Sequence, residues 1–62
     1  MNLATALLTA QRRATMWQEP RYVVAYSGIY NVVSEYQLPR FVATFLDVEI
    51  VHVINPNEDV LS

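Results

Sequence analysis

The sequence predicts a small α+β domain made of an N-terminal helix, a β-hairpin, a short second helix and a final strand. Three observations predict it. Residues 2–18 carry apolar side chains at helical spacing, residues 21–36 and 48–54 are rich in β-branched residues, and a Ser-Gly pair interrupts the first of these β-rich runs. We expect one domain over residues 1–55, followed by a flexible C-terminal tail over 56–62.

The first helix is predicted over residues 2–18, NLATALLTAQRRATMWQ, where alanine, leucine, glutamine and arginine favour helix. Asn2 can cap its start, and Pro20 places Glu19 outside it. The helix carries an apolar stripe at spacings of three and four: Leu3, Leu7, Ala10, Ala14 and Trp17. Two uses of the stripe stay open: packing on the chain's own sheet, or an antiparallel interface with the same helix of a second copy.

The hairpin is predicted over residues 21–36, RYVVAYSGIYNVVSEY. A two-residue turn at Ser27 and Gly28 pairs Tyr26 with Ile29. One face then carries Tyr22, Val24, Tyr26, Ile29 and Val33. In the competing interpretation residues 28–37 form a helix, which gives an α-β-α-β order with a parallel strand pair. The hairpin is favoured because β-branched residues lose side-chain freedom in a helix.

The second helix is predicted over residues 38–47, LPRFVATFLD, because proline suits a first helical turn. Four apolar residues then fall on one side: Phe41, Val42, Phe45 and Leu46. The last strand is predicted over residues 48–54, VEIVHVI. Strand alternation places His52 on the face of Ile50 and Ile54, and Glu49 on the other. We expect both helices to cover one sheet face, which leaves the second face and the strand edges open.

The composition indicates a chain that gains stability by association. It has 62 residues, of which 53% are hydrophobic and 16% charged, and a domain of this size is barely stabilised by one core. It has no cysteine, which excludes disulfides, and a single histidine, which disfavours a metal site. No run reaches the roughly 18 to 20 apolar residues of a membrane span, and residues 1–20 lack a signal-peptide pattern. We therefore expect a soluble cytoplasmic protein.

Catalytic patterns are weak in this sequence. The fragment VVAYSG resembles the start of the phosphate-binding loop of ATP pyrophosphatase-type enzymes. The next residues, IYNVV, lack the glycine, acidic residue and serine that the motif requires, so we interpret the fragment as a turn. His52 shares its predicted face with no orienting carboxylate. We therefore expect no catalytic residue, cofactor, metal or small-molecule substrate, and His52 is a structural residue or a pH-sensitive contact in an interface.

Tyrosine and arginine cluster around the hairpin, and both are enriched in protein interfaces. The residues expected to contact a partner are Arg21, Tyr22, Tyr26, Tyr30, Tyr36 and Arg40. We expect a non-enzymatic module that binds and modulates or inhibits a larger protein. Phages and mobile elements use small proteins in this way in the host cytoplasm, and this comparison is an analogy.

Two other functions remain open from the sequence. The first is a self-assembling structural subunit, as a homodimer or higher oligomer. The second is an RNA- or single-strand-binding module, since aromatic residues on a sheet with nearby arginines can stack bases. A net charge of −2 and the lack of lysine disfavour nucleic acid, because phosphate contacts require cations.

Overall fold

The computed structural model describes residues 1–58 and confirms the predicted α+β fold. Its elements are helix α1 (Leu3–Trp17), strand β1 (Arg21–Tyr26), strand β2 (Ile29–Ser34), helix α2 (Leu38–Thr44) and strand β3 (Glu49–Ile54). The strands form one antiparallel sheet in the order β2-β1-β3. Strand β1 is therefore central, and β2 and β3 are the two edges.

Helix α1 starts at the predicted cap, where the backbone N–H of Thr5 donates to Asn2 Oδ1 at 2.8 Å. It ends at Gln18, which has a left-handed backbone conformation (φ 53°) and donates its N–H to the carbonyl of Ala14. Three alanines on successive turns are fully buried: Ala6, Ala10 and Ala14. They pack with Val23 and Ile54 of the sheet. The alanines of the predicted stripe therefore lie on the chain's own sheet.

The hairpin has the predicted two-residue turn, with Tyr26 paired to Ile29. Ser27 and Gly28 both have positive φ angles, 51° and 78°, as a type I′ turn requires. The helical alternative for residues 28–37 is therefore wrong, because Ile29–Ser34 is a strand.

The strain of this turn is concentrated at Ser27, and we expect Ser27→Asn to stabilise the protein. Asparagine tolerates the left-handed region better than serine, and Asn-Gly is a preferred type I′ pair. The expected gain is on the order of 0.5 kcal/mol, measured as a higher Tm in thermal unfolding followed by circular dichroism. Ser27→Val is the matched control and should lower the Tm, since a β-branched residue resists positive φ. A Tm that does not rise with asparagine would contradict the turn assignment.

The two helices lie on opposite faces of the sheet, so the expectation that both cover one face was wrong. Helix α1 packs on the face of Val23 and Val32. On the other face, the Phe45 ring that follows α2 lies 4.5 Å from the ring of Tyr26. The short connection from β2 to α2 turns the chain onto the face that α1 leaves free. Val24, on this second face, is accordingly fully buried.

Helix α2 ends at Thr44, three residues earlier than expected. Phe45 already has an extended backbone (φ −116°, ψ 102°), and a turn follows it. Val42 and Leu46 are therefore 42% and 89% exposed, whereas the rings of Phe41 and Phe45 lie 4.8 Å apart and are half-buried. The expectation of four apolar residues on one helix side was wrong, because only the two phenylalanines face the sheet.

Strand β3 contains a β-bulge. Val23 pairs with His52 and Val24 pairs with Ile50, which leaves Val51 as the extra residue. Directly paired residues share a face, so His52 lies on the α1 side and Ile50 on the α2 side. The expectation that these two share a face was wrong, because simple alternation does not hold across a bulge.

The chain continues past residue 55 in contact with the domain. The backbone N–H of Asn57 donates to Thr15 Oγ1 of α1 at 3.0 Å, and that of Glu58 donates to the carbonyl of Asn55 at 3.2 Å. Residues 59–62 of the predicted tail lie outside the described residues.

Candidate functional site

A groove lies between the edge strand β2 and helix α2, on the sheet face opposite α1. It has a volume of about 400 Å³. The residues that line this β2–α2 groove are Asn31, Val32, Val33, Gln37, Arg40, Phe41, Thr44 and Phe45. Aromatic, amide, hydroxyl and guanidinium groups thus meet on one concave surface.

Helix α2 and its two flanking residues present one stripe to the groove, because the lining residues are three or four positions apart along the chain. Phe41 and Phe45 form the apolar floor, and Phe45 in turn rests on Tyr26 of the central strand. Arg40 and Thr44 are exposed beside this floor. The groove therefore has an apolar base and polar rims.

Gln37 closes one end of the β2 edge. Its backbone N–H donates to the carbonyl of Ser34 at 3.1 Å and to Ser34 Oγ at 3.2 Å. In return, the backbone N–H of Ser34 donates to Gln37 Oε1 at 3.0 Å. These bonds hold the start of α2 against the end of β2 and use backbone groups that would otherwise be open at the edge.

Within residues 1–58, no further strand pairs with the rest of the β2 edge. In a two-residue hairpin, the pair next to the turn is hydrogen-bonded, and here that pair is Tyr26 and Ile29. Along the β1–β2 ladder, hydrogen-bonded and non-hydrogen-bonded pairs then alternate. Tyr30 and Val32 therefore direct their backbone N–H and C=O groups away from β1. An additional strand can bond to such groups.

Arg40 is the charged residue of the groove. Its side chain is exposed, and within residues 1–58 no carboxylate oxygen lies within 4.0 Å of its guanidinium. Its backbone carbonyl accepts the hydroxyl of Thr44 at 2.8 Å, so Thr44 is oriented by the helix itself. The groove thus carries one positive charge that the described part of the chain does not neutralise.

Comparison of the chain with protein-family models, curated proteins and solved structures found no match. The functional assignment therefore rests on the groove and on the surfaces around it. Over residues 1–58, no helix is long and apolar enough to cross a membrane. Over the same residues, no three His, Asp or Glu side chains come together as a metal site would require.

The six residues predicted to contact a partner do not share one surface. Arg40 lines the groove, and Tyr26 lies beneath its floor. Tyr22 is on the same sheet face but pairs with Val53 on the β3 side. Tyr30 packs on the opposite face, against the α1 core.

The remaining two predicted partner residues differ sharply in exposure. Tyr36 is 78% exposed in the turn before α2. Arg21 is only 9% exposed, and its guanidinium donates to the carbonyl of Pro20 at 3.2 Å and to Glu19 Oε2 at 3.4 Å. Arg21 thus serves the junction between α1 and β1 and offers little surface to a partner.

The predicted helix interface is largely occupied by the chain itself. Ala10 and Ala14 are fully buried against the sheet, and Leu7 packs partly on the same core. At the two ends of the stripe, Leu3 and Trp17 are 37% and 64% exposed. A second copy could therefore reach only the ends of this stripe.

His52 lies beside Glu58, with 4.0 Å between Nε2 and Oε2. Both side chains are partly exposed, at 51% and 38%. Glu58 Oε2 is itself buried and has no hydrogen-bond partner among the described residues. The pH-sensitive role expected for His52 stays a prediction, with Glu58 as the group that faces it.

The β3 edge is another exposed apolar surface. Ile50, Val51 and Val53 are 48%, 38% and 41% exposed. The bulge at Val51 breaks the regular row of backbone donors and acceptors, which makes this edge a poorer template for strand addition than β2.

Sequence reasoning missed the groove although it identified several of its residues. The spacing from Gln37 to Phe45 indicates one helix side, but it does not indicate that this side lies next to an open strand. That juxtaposition depends on α2 lying on the face opposite α1.

Proposed function

We propose that the protein is a non-enzymatic binding module that captures an extended segment of a larger protein and thereby modulates it. The observation that carries this proposal is the β2–α2 groove lying directly beside the open edge of β2. An extended segment needs both features: backbone partners along one side and a concave surface for its side chains.

The groove supports a specific mode of attachment. A segment that pairs with β2 would exchange backbone hydrogen bonds with Tyr30 and Val32 as a fourth strand. Every second side chain of that segment would then point to the face of Val33 and meet Phe41 and Phe45. Backbone hydrogen bonds would bind segments of many sequences, and side-chain contacts in the groove would select among those segments.

A self-assembling subunit is the second candidate function. It is favoured by the apolar side chains that stay exposed outside the groove, on β3 and on the turn after α2: Leu46, Ile50 and Val53. A second copy could cover them.

Nucleic-acid binding is less favoured by the arrangement of the arginines. Arg12 and Arg13 are exposed on α1, Arg21 is buried, and Arg40 lies on the opposite side of the sheet. They do not form the continuous basic surface that a phosphate backbone requires.

Blocking the β2 edge should weaken partner binding in molecules that stay folded. Val32→Pro removes an outward N–H that the ladder to β1 does not use, and it adds a ring at the edge. It also removes part of a side chain that packs on the α1 core, so some loss of stability is expected as well. We expect the wild-type chain to capture one protein from a lysate of its source cells, and Val32→Pro to weaken binding of that purified protein at least about tenfold.

Val53→Pro is the matched control, since Val53 also directs its N–H outward but on the β3 edge; it should bind like wild type. Circular dichroism would establish that both variants are folded. Full binding by Val32→Pro would overturn the proposal. Recovery of the chain alone, with a dimer in light scattering, would favour the subunit.

A further inference from the structure

We propose that two copies of the chain pair through β2 about a two-fold axis at Asn31, and that this homodimer keeps the β2 edge covered until a target segment displaces one copy. The pairing follows from the geometry of β2 itself. Its role as a competitor of the target rests on the proposed function, because both use the same edge.

Strand β2 lacks the features that normally prevent two sheet edges from pairing. Such features are charged side chains, prolines and bulges along the edge strand. The strand Ile29–Ser34 contains no charged residue and no proline, and its ladder with β1 is regular. Strand β3, by contrast, contains Glu49 and a bulge. Of the two edges, β2 is therefore the better template for a second copy.

The register of the pairing is set by the backbone groups that β1 leaves free. Tyr30 and Val32 direct their N–H and C=O groups outward, whereas the outward N–H of Ser34 donates to Gln37 Oε1 at 3.0 Å. In an antiparallel ladder, a hydrogen-bonded pair consists of two residues directly opposite each other. Only one register uses both free residues of each copy in this way: Tyr30 opposite Val32 of the second copy, and the reverse. Asn31 then lies opposite Asn31 on the two-fold axis.

The side chains of the two strands complement each other in this register. On the α1 face Tyr30 meets Val32, and aromatic residues pair favourably with β-branched residues across strands. On the other face Ile29, which is 54% exposed in the single chain, lies opposite Val33. The two Asn31 side chains meet at the axis, where each amide can donate to the oxygen of the other.

A homodimer of this kind controls access to the edge. The target segment and the second copy need the same N–H and C=O groups of Tyr30 and Val32, so they exclude each other. A target must therefore bind more tightly than the second copy, or be present in excess, to form its complex.

Charge exchange at Asn31 tests this register. Asn31→Asp and Asn31→Lys each place like charges opposite each other at the axis, so each should raise the dissociation constant of the homodimer at least about tenfold. An equal mixture of the two variants brings opposite charges together there and should restore the dimer. Analytical ultracentrifugation over a dilution series would measure these constants, and circular dichroism would establish that the variants are folded.

Asn55→Asp is the matched control, since it makes the same chemical change at an exposed residue outside β2. It should form the homodimer as the wild type does, and so should Val53→Pro, which alters the β3 edge. A wild-type chain that stays monomeric would overturn the pairing. A dimer that survives both charge variants of Asn31, or a mixture of them that does not associate, would overturn it as well.

The outcomes distinguish this inference from the proposed function. Capture of a partner by a chain that is monomeric when alone would refute the homodimer and retain strand addition. A dimer with the predicted response at Asn31 that captures no partner would refute the function, and with it the competition, but retain the pairing. The captured protein should convert the dimer into a complex with one copy of the chain. A dimer that binds this protein intact would overturn the competition for the edge.

Discussion

Replacing Ile54 with alanine should unfold a large fraction of the molecules at room temperature. Ile54 is fully buried against α1 and Val23, and it is one of the three largest side chains with no exposure. Removing it costs about 2–5 kcal/mol, because the helix opposite presents alanines, which are too small to fill the cavity. A domain of this size has about 3–5 kcal/mol in total.

Urea unfolding followed by circular dichroism would measure this loss. Ile50→Ala is the matched control, since it makes the same chemical change on the same strand at a residue that is 48% exposed. It should cost less than about 1 kcal/mol. Equal losses from the two substitutions would mean that the core does not lie where α1 meets the sheet.

Ala10→Leu should lower the stability of the protein by a similar amount, because it overfills the core where Ile54→Ala leaves a cavity. The three buried alanines let the helix backbone approach the sheet closely, so a larger side chain at the middle one must push the two layers apart. Overpacking of this kind costs about 1–3 kcal/mol and sometimes more. We expect a marked fall in Tm, measured by thermal unfolding.

Ala4→Leu is the control for this experiment, because Ala4 lies on the same helix and is exposed. Leucine and alanine differ little in helix propensity, so its Tm should stay close to that of the wild type. If Ala10→Leu were as stable as Ala4→Leu, the close contact between α1 and the sheet would be refuted.

Those parts of the fold that depend on interactions between residues close in sequence could be predicted from the sequence. Asn2 as a cap, the alanine-rich stripe and the Ser27-Gly28 turn each act within a few residues of the chain. The predicted two-residue turn also determines the pairing of Tyr26 with Ile29 and the two faces of the hairpin.

The face taken by α2 and the bulge in β3 could not be predicted in this way. The position of α2 depends on reciprocal hydrogen bonds between Ser34 and Gln37, which no periodicity reveals. The bulge at Val51 follows from pairing with β1, and simple alternation assumes that no residue is inserted.

The candidate site was predictable only in part. Arg40 was identified by its residue type, and the phenylalanines by their helical spacing. Closeness in sequence misled for the tyrosines. The two-residue turn pairs Tyr26 with Ile29 and Ala25 with Tyr30, so Tyr30 lies on the face opposite Tyr22 and Tyr26.

The bulge at Val51 would also limit how many copies could join if copies paired through their sheet edges. A sheet with two regular edges can grow end to end without limit, since each added copy offers a fresh edge to the next. Here β2 is regular and β3 is interrupted, so growth through β2 stops once that edge is used. The irregular strand therefore favours complexes of finite size over fibres, even though the chain is rich in β-branched residues.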